Sequence, residues 1–190
     1  ARTVVANLPM TVRLLNVVPP LPQEIYIELR HPESWPRKWA EWARLHDQLE
    51  LAEGYWLGWV FTPRREVAQT LSECVGEKLR ALGRRLRRWE CATPDELARA
   101  RNDLIGASEE GGADCLWVEA TAPLDGSWRE AWSTFLLRTN EQRDRLQRKH
   151  RGGVVIAGPP SLKALAKELG PDLWAIRSLV VDVPLFSGAV

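Results

Sequence analysis

The stretch Tyr55–Phe61, which reads YWLGWVF, decides the fold. Gly54 precedes it and Thr62-Pro63 follows it, so turn residues bound a short run of large apolar side chains. A strand with one face in water would alternate apolar and polar residues, and this run does not. The run therefore predicts a strand buried on both faces, as in parallel sheets.

Further strands and helices alternate after this run. The predicted strands are a short one at Trp89–Cys91, buried ones at Asp114–Ala120 and Gly153–Ala157, and a last one at Leu179–Val183. Between them the apolar spacing predicts helices from Arg64 to about Leu86, from Thr93 to about Ile105, from Ser127 to about Lys149, and over Ser161–Leu169. We read Thr93–Glu96 and Ser127–Glu130 as capping boxes. The alternation predicts an α/β fold, a three-layer sandwich with a mainly parallel five-stranded sheet.

Residues 1–53 differ in composition from the rest and form a predicted N-terminal segment packed on the α/β domain of residues 54–190. Its first part is Pro-rich, with a short strand predicted at Thr11–Val18, while Glu24–Arg30 fits either a strand or a helix. A helix is predicted from Ser34 to Gly54. Its apolar stripe consists of Trp35, Trp39, Trp42 and Leu49, and His46 lies on the same stripe.

Charge and composition exclude several classes of protein. Lys and Arg number 26 against 25 Asp and Glu, so a nucleic-acid partner that needs a basic surface is disfavoured. Three cysteines are an odd number, which favours a reducing, cytoplasmic compartment over a disulfide framework. No apolar run approaches the roughly 20 residues of a membrane helix. Ten tryptophans against three phenylalanines and two tyrosines indicate large cores.

The turn after the first buried strand, Thr62–Glu66, is where an α/β protein would bind phosphate. It contains no glycine, Pro63 has no N–H to donate, and neither Gly-x-Gly-x-x-Gly nor Gly-Lys occurs in the chain. Phosphate-binding loops need glycines so that successive N–H groups converge on the anion. Arg64 and Arg65 could attract a phosphate only as bare charges. The sequence predicts no cofactor here.

Glu119 ends the strand at Asp114–Ala120, at the position where NTPases place a magnesium ligand and base. It stands alone, so the alternative is a polar strand terminus. Cys91 follows a strand, but the spacing of the cysteines and histidines forms no metal motif, and Ser161 lacks a Gly-x-Ser-x-Gly turn. The sequence predicts no catalytic residue and no metal site.

Arginines crowd the predicted carboxyl end of the helix that begins at Arg64: Arg80, Arg84, Arg85, Arg87 and Arg88. Basic residues there complement the helix dipole. The functional interpretation is a docking surface for an acidic protein partner or for nucleic acid. A second basic run lies in residues 138–151.

The last third of the chain resembles the STAND-type P-loop NTPases of bacteria. The resemblance rests on LLRTNEQRD (136–144), GVVIAGPP (153–160) and PDLWAIRS (171–178), and Leu14–Pro19 and Trp35-Pro36 resemble the segment preceding the nucleotide domain. Thr62-Pro63-Arg64-Arg65 replaces the phosphate loop, and Glu119 alone replaces the paired acids. These departures match the inactive STAND modules of bacterial conflict and NLR-like defence systems, which the resemblance implies are signalling or scaffolding units.

These observations favour a non-catalytic, cytoplasmic domain that works by protein–protein contact. One alternative is a residual nucleotide-binding or hydrolysing enzyme that uses Glu119, with Arg64, Arg65 or Arg177 as phosphate contacts. The other alternative is a nucleic-acid-binding module that uses the Arg80–Arg88 cluster.

Overall fold

Five strands form one sheet in a computed structural model that describes residues 40–106 and 113–183. The strands are β1 (Trp56–Phe61), β2 (Leu86–Glu90), β3 (Cys115–Glu119), β4 (Gly153–Gly158) and β5 (Leu179–Asp182). The described helices are α1 (Ala40–Leu51), α2 (Arg65–Ala81), α3 (Pro94–Gly106), α4 (Gly126–Glu141), α5 (Arg143–Lys149), α6 (Leu162–Leu169) and α7 (Pro171–Ala175). None of the described helices is long and apolar enough to cross a bilayer.

The strand order is β2-β3-β4-β1-β5, and every pair of neighbours is parallel. The predicted α/β class and parallel five-stranded sheet are therefore confirmed. All residues of β1, β3 and β4 are buried, as expected for strands covered on both faces. β2 and β5 form the two edges of the sheet among the described residues.

Helices cover both faces of the sheet. The connection from β1 to β2 runs along the sheet in the opposite direction to the later connections, so right-handed crossovers place α2 on one face and the later helices on the other. Two apolar clusters confirm this arrangement. One joins α1 and α2 to Trp56, Val60 and Trp117, and the other joins α3, α4, α6 and α7 to Trp59 and Ile156.

The helix α2 ends earlier than predicted. It stops at Ala81 instead of about Leu86, because Gly83 adopts a φ of 70° and closes a Schellman motif. In this motif the N–H of Gly83 donates to the Arg80 carbonyl and the N–H of Arg84 to the Leu79 carbonyl. The residues from Leu86 onward are consequently free to form β2.

The two predicted capping boxes have opposite outcomes. At Thr93 the box is confirmed: Thr93 Oγ1 accepts the Glu96 N–H at 3.3 Å, and the Glu96 carboxylate accepts the Thr93 N–H at 3.1 Å. The box at Ser127 is wrong. Helix α4 begins one residue earlier, at Gly126, with Asp125 as its N-cap and no capping side chain.

Of two other predicted helix ends, one differs from the structure and one agrees with it. The predicted helix from Ser127 to Lys149 is two helices, because Gln142 leaves the helical conformation between α4 and α5. The predicted helix end at Leu169 is confirmed: α6 stops there with Gly170 as its C-cap, and Pro171 begins the separate helix α7. Three predictions lie outside the described residues: the strand at Thr11–Val18, the strand or helix at Glu24–Arg30, and the helix start at Ser34.

Candidate functional site

The candidate site lies at the carboxyl ends of the strands. Ligands of open α/β sheets bind at these ends, between two adjacent strands whose following connections leave in opposite directions. β1 and β4 are such a pair of strands. A cleft of about 260 Å³ opens at this edge. It is lined by the start of α2, the residues after β2 and β3, and the first turn of α4: Pro63, Arg64, Arg65, Glu66, Cys91, Ala92, Glu119, Thr121, Ala122 and Trp128.

The turn between β1 and α2 is closed by a hydrogen bond to the side chain of Thr62, one of its own residues. The buried Thr62 hydroxyl accepts the Arg64 N–H at 3.3 Å, so this N–H at the helix start is already bonded within the turn. No residue from Thr62 to Glu66 has a positive φ. The alternating right- and left-handed residues that make an anion-binding nest are therefore absent from this turn.

Glu119 is buried, with 2% of its surface exposed, at the end of β3. The indole N–H of Trp117, two residues earlier on the same face of the strand, donates to its carboxylate at 3.2 Å. The pKa of Glu119 is raised to about 7, chiefly by burial and to a smaller extent by the neighbouring Glu90. The Trp117 hydrogen bond and the positive charges of Arg88 and Arg65 act in the opposite direction without cancelling the effect of burial.

This arrangement offers one carboxyl group that is part-protonated at neutral pH. Magnesium takes an octahedral shell of oxygens that in nucleotide sites comes from carboxylates and substrate phosphates. The described residues contain no group of three or more His, Cys, Asp or Glu side chains that could hold a metal ion. Glu119 is thus placed at the expected position of a magnesium ligand, with Glu66 and Glu90 near it, but no set of three such side chains converges there among the described residues.

Cys91 lines the cleft, but its chemistry is unsuited to nucleophilic attack. Burial raises the pKa of this thiol to about 12, with smaller contributions from Glu96 and Glu119. The thiol therefore stays protonated at neutral pH, whereas a nucleophile must be a thiolate. Cys115 begins β3 at the opposite edge of the sheet, as predicted. His150 contacts the Leu104 carbonyl at 3.1 Å, which ties α5 to α3.

Arg177 does not reach this cleft. It precedes β5, where the N–H of Ser178 donates to the carbonyl of Leu57 near the start of β1, so Arg177 lies at the amino edge of the sheet. Its guanidinium lies 4.4 Å from the centre of the Trp174 ring and donates to the Trp174 carbonyl. The hypothesis that Arg177 contacts a phosphate is wrong, whereas Arg64 and Arg65 do line the cleft with Glu119.

The arginine cluster is not the end of one helix, contrary to the prediction. Arg80 is on α2, Arg84 and Arg85 follow it, and Arg87 and Arg88 belong to β2. Several are already engaged: Arg87 contacts Asp103 at 3.3 Å, Arg88 pairs with Glu90, and Arg84 donates to the Leu49 carbonyl at 2.8 Å. The cluster thus surrounds the edge strand β2 and contributes less free charge than the sequence indicated.

The motifs that carry the family resemblance contact one another. Arg143 forms an ion pair with Asp172 at 3.1 Å, and Asn140 Oδ1 accepts the Leu173 N–H at 2.9 Å. Trp174 packs against the buried rings of Trp59 and Phe61. These residues join α4, α5 and α7, so their visible role is to hold the helical layer together.

Sequence reasoning missed one residue that holds Glu119 in place and one that lines the cleft. The Trp117 indole holds Glu119, and Trp128 lines the cleft from α4. The first could have been found from the spacing of two residues, which puts both side chains on one face of a strand. The second depends on how α4 packs on the sheet.

No protein-family model matches the chain, and no curated protein matches it.

Proposed function

We propose that the chain is a catalytically inactive, P-loop NTPase-like module that acts by protein–protein contact in a bacterial defence or NLR-like signalling assembly. In this proposal residues 54–190 form the degenerate nucleotide-binding domain and residues 1–53 pack on it. The module is cytoplasmic and binds no cofactor. The family part rests on the resemblance of residues 136–178 to STAND-type proteins.

The observation that carries the proposal is the turn from Thr62 to Glu66. It occupies the place of a phosphate-binding loop, at the carboxyl end of a central strand and the start of a helix. Its threonine hydroxyl takes up the Arg64 N–H, and none of its residues has a left-handed backbone. Such a turn lacks the nest geometry that wraps consecutive N–H groups around a polyphosphate.

Nucleotide titration tests this proposal. With Mg²⁺ present, ATP or GTP should leave the melting temperature of the full chain unchanged. A nucleotide at about 100 times its Kd would stabilise the fold by about 2.7 kcal/mol. For a chain of this size that corresponds to a rise of about 5–10 °C.

Two arginine variants control for binding by charge alone. A rise in melting temperature that persists in both Arg64→Ala and Arg65→Ala would contradict the proposal, because backbone groups would then hold the phosphates. An unchanged melting temperature in the parent chain supports the inactive module.

A residual nucleotide hydrolase is the second candidate, and one observation favours it. Arg64, Arg65 and Glu119 line the same cleft, so two cations and a part-protonated carboxyl do lie together. The cleft of about 260 Å³ is smaller than the roughly 300–1,000 Å³ typical of ligand pockets. Phosphate release from ATP that disappears in Glu119→Gln would establish this candidate and overturn the first.

A further inference from the structure

We propose that the edge strand β2 is a docking site for an extended segment of a partner protein, with acidic and apolar residues in alternation. The partner would add a sixth strand to the sheet. This inference rests on the proposed protein-contact function and names the chemistry of the partner.

The backbone of β2 leaves three residues with their hydrogen-bonding groups directed away from the sheet. The Arg85 carbonyl accepts from Cys115, and the N–H of Cys91 donates to Glu119, so both of these residues face β3. Successive residues of a strand alternate in direction. Leu86, Arg88 and Glu90 therefore direct their N–H and C=O groups outward, and no described strand pairs with them.

Grooves lie on both sides of this edge. On the α2 side a groove of about 470 Å³ is lined by four arginines and two glutamates: Arg80, Arg84, Arg85, Arg88, Glu73 and Glu77. On the α3 side a groove of about 320 Å³ runs past Trp89 and Ala100. An added strand would fill both, because its side chains alternate between the two faces of the sheet.

The two grooves call for different side chains. The groove beside α2 carries an excess of arginines over glutamates, so it attracts carboxylates. The groove beside α3 contains Trp89, Cys91 and the buried Ala100, and the charges of its other lining residues balance: Arg88 and Arg99 against Glu90 and Glu96. It therefore suits apolar side chains. Alternating residues of the partner meet these two surfaces in turn, which gives the acidic–apolar pattern.

A second copy of the chain fits this edge less well. A two-fold antiparallel pairing centred on the middle of β2 would place Arg88 directly opposite Arg88. Like charges at directly opposed positions of a sheet are destabilising. The partner is accordingly a different segment that carries negative charge.

The test uses the full chain and a labelled peptide of alternating glutamate and valine, about nine residues long to span a strand. Fluorescence anisotropy measures binding. The charge-reversal variant Arg80→Glu should weaken binding about tenfold, because it puts a negative charge in the α2 groove. Arg145→Glu, also an exposed helical arginine but on α5, is the matched control and should bind as the parent does. A lysine–valine peptide should bind at least about tenfold more weakly.

Amide hydrogen exchange shows whether the peptide pairs with the strand. In the free chain the N–H groups of Leu86, Arg88 and Glu90 should exchange quickly, while those of Arg87 and Trp89, bonded to β3, are protected. The peptide should slow exchange of the first three at least about tenfold and leave the other two unchanged. This readout needs no substitution in β2, so it does not depend on a variant folding.

Three results would overturn the inference: no binding at about millimolar peptide, binding without protection of the three outward amides, or equal binding of the lysine–valine peptide. Protection of those amides in the free chain would also overturn it, since a second copy or another segment of this chain would then occupy the edge. Nucleotide titration stays separate: if it is negative and the peptide fails, the docking inference falls while the inactive-module proposal stands.

Discussion

Replacing Glu119 by glutamine should stabilise the protein at alkaline pH and have little effect near pH 5. Glu119 is buried and forms no ion pair with any residue that the structure describes, and its pKa in the folded chain is about 7 against an ordinary value of 4.5. A raised pKa means that the folded state holds the proton more tightly than the unfolded state does. Ionisation of Glu119 therefore lowers the stability of the fold as the pH rises from about 4.5 to about 7.

The size of this effect follows from the two pKa values. Each tenfold difference in proton affinity is worth about 1.36 kcal/mol, so the full penalty above pH 7 is about 3 kcal/mol. At pH 5 most of the penalty is absent, and the change between pH 5 and pH 8 is about 2–3 kcal/mol. Glutamine does not titrate, and its carbonyl oxygen still accepts the Trp117 N–H.

Urea unfolding of the parent and of Glu119→Gln at pH 5 and pH 8 measures this difference. The variant should gain about 2–3 kcal/mol over the parent between the two pH values, a shift of about 1 M in urea midpoint. Other titrating groups contribute equally to both proteins at a given pH, so they cancel in the comparison. A stability difference that is the same at both pH values would refute the reasoning, because Glu119 would then titrate alike in the folded and unfolded states.

Two paired substitutions test the backbone assignments. Gly153→Ala should lower stability by about 1–3 kcal/mol, since its Cβ would lie 2.2 Å from the ring of the buried Trp56. In the control Gly106→Ala the new Cβ meets nothing within 4 Å, so stability should change by less than about 1 kcal/mol. Thermal unfolding measures both variants, and equal melting temperatures would contradict the close approach. Thr93→Ala should lower the free energy of unfolding by about 1 kcal/mol through loss of the α3 cap, while Ser127→Ala should leave it almost unchanged because Ser127 caps no helix. Similar losses of stability for both variants in chemical denaturation would contradict the cap assignment.

The buried part of the fold was predictable because a strand covered on both faces is apolar throughout. The runs that form β1, β3 and β4 are of this kind apart from the terminal Glu119, so the centre of the parallel sheet follows from the sequence. The edge strand β2, LRRWE, is only half covered, and its arginines fit the end of a helix equally well. The signal that separates the two is Gly83, which stops α2 before β2 begins.

The candidate site was predictable in position but less so in chemistry. The carboxyl edge follows from the order of strands and helices, and it brings Arg64, Arg65 and Glu119 to one cleft. Arg177 was predicted as a phosphate contact at the carboxyl ends of the strands. It comes just before β5, however, and therefore lies at the amino end of that strand. The raised pKa of Glu119 was not accessible from sequence, because it depends on burial and on charges that approach from β2 and α2.

The ionisation of Glu119 also distinguishes the two proposed functions. A magnesium ion or a magnesium–nucleotide complex held in the cleft would favour the ionised carboxylate and lower its pKa. In a hydrolase, therefore, ATP and Mg²⁺ would reduce the stability difference between the parent and Glu119→Gln at pH 8. In an inactive module the difference stays at about 2–3 kcal/mol whatever is added. The reason is that only a bound cation can replace the solvation that the carboxylate loses when it is buried beside Trp117.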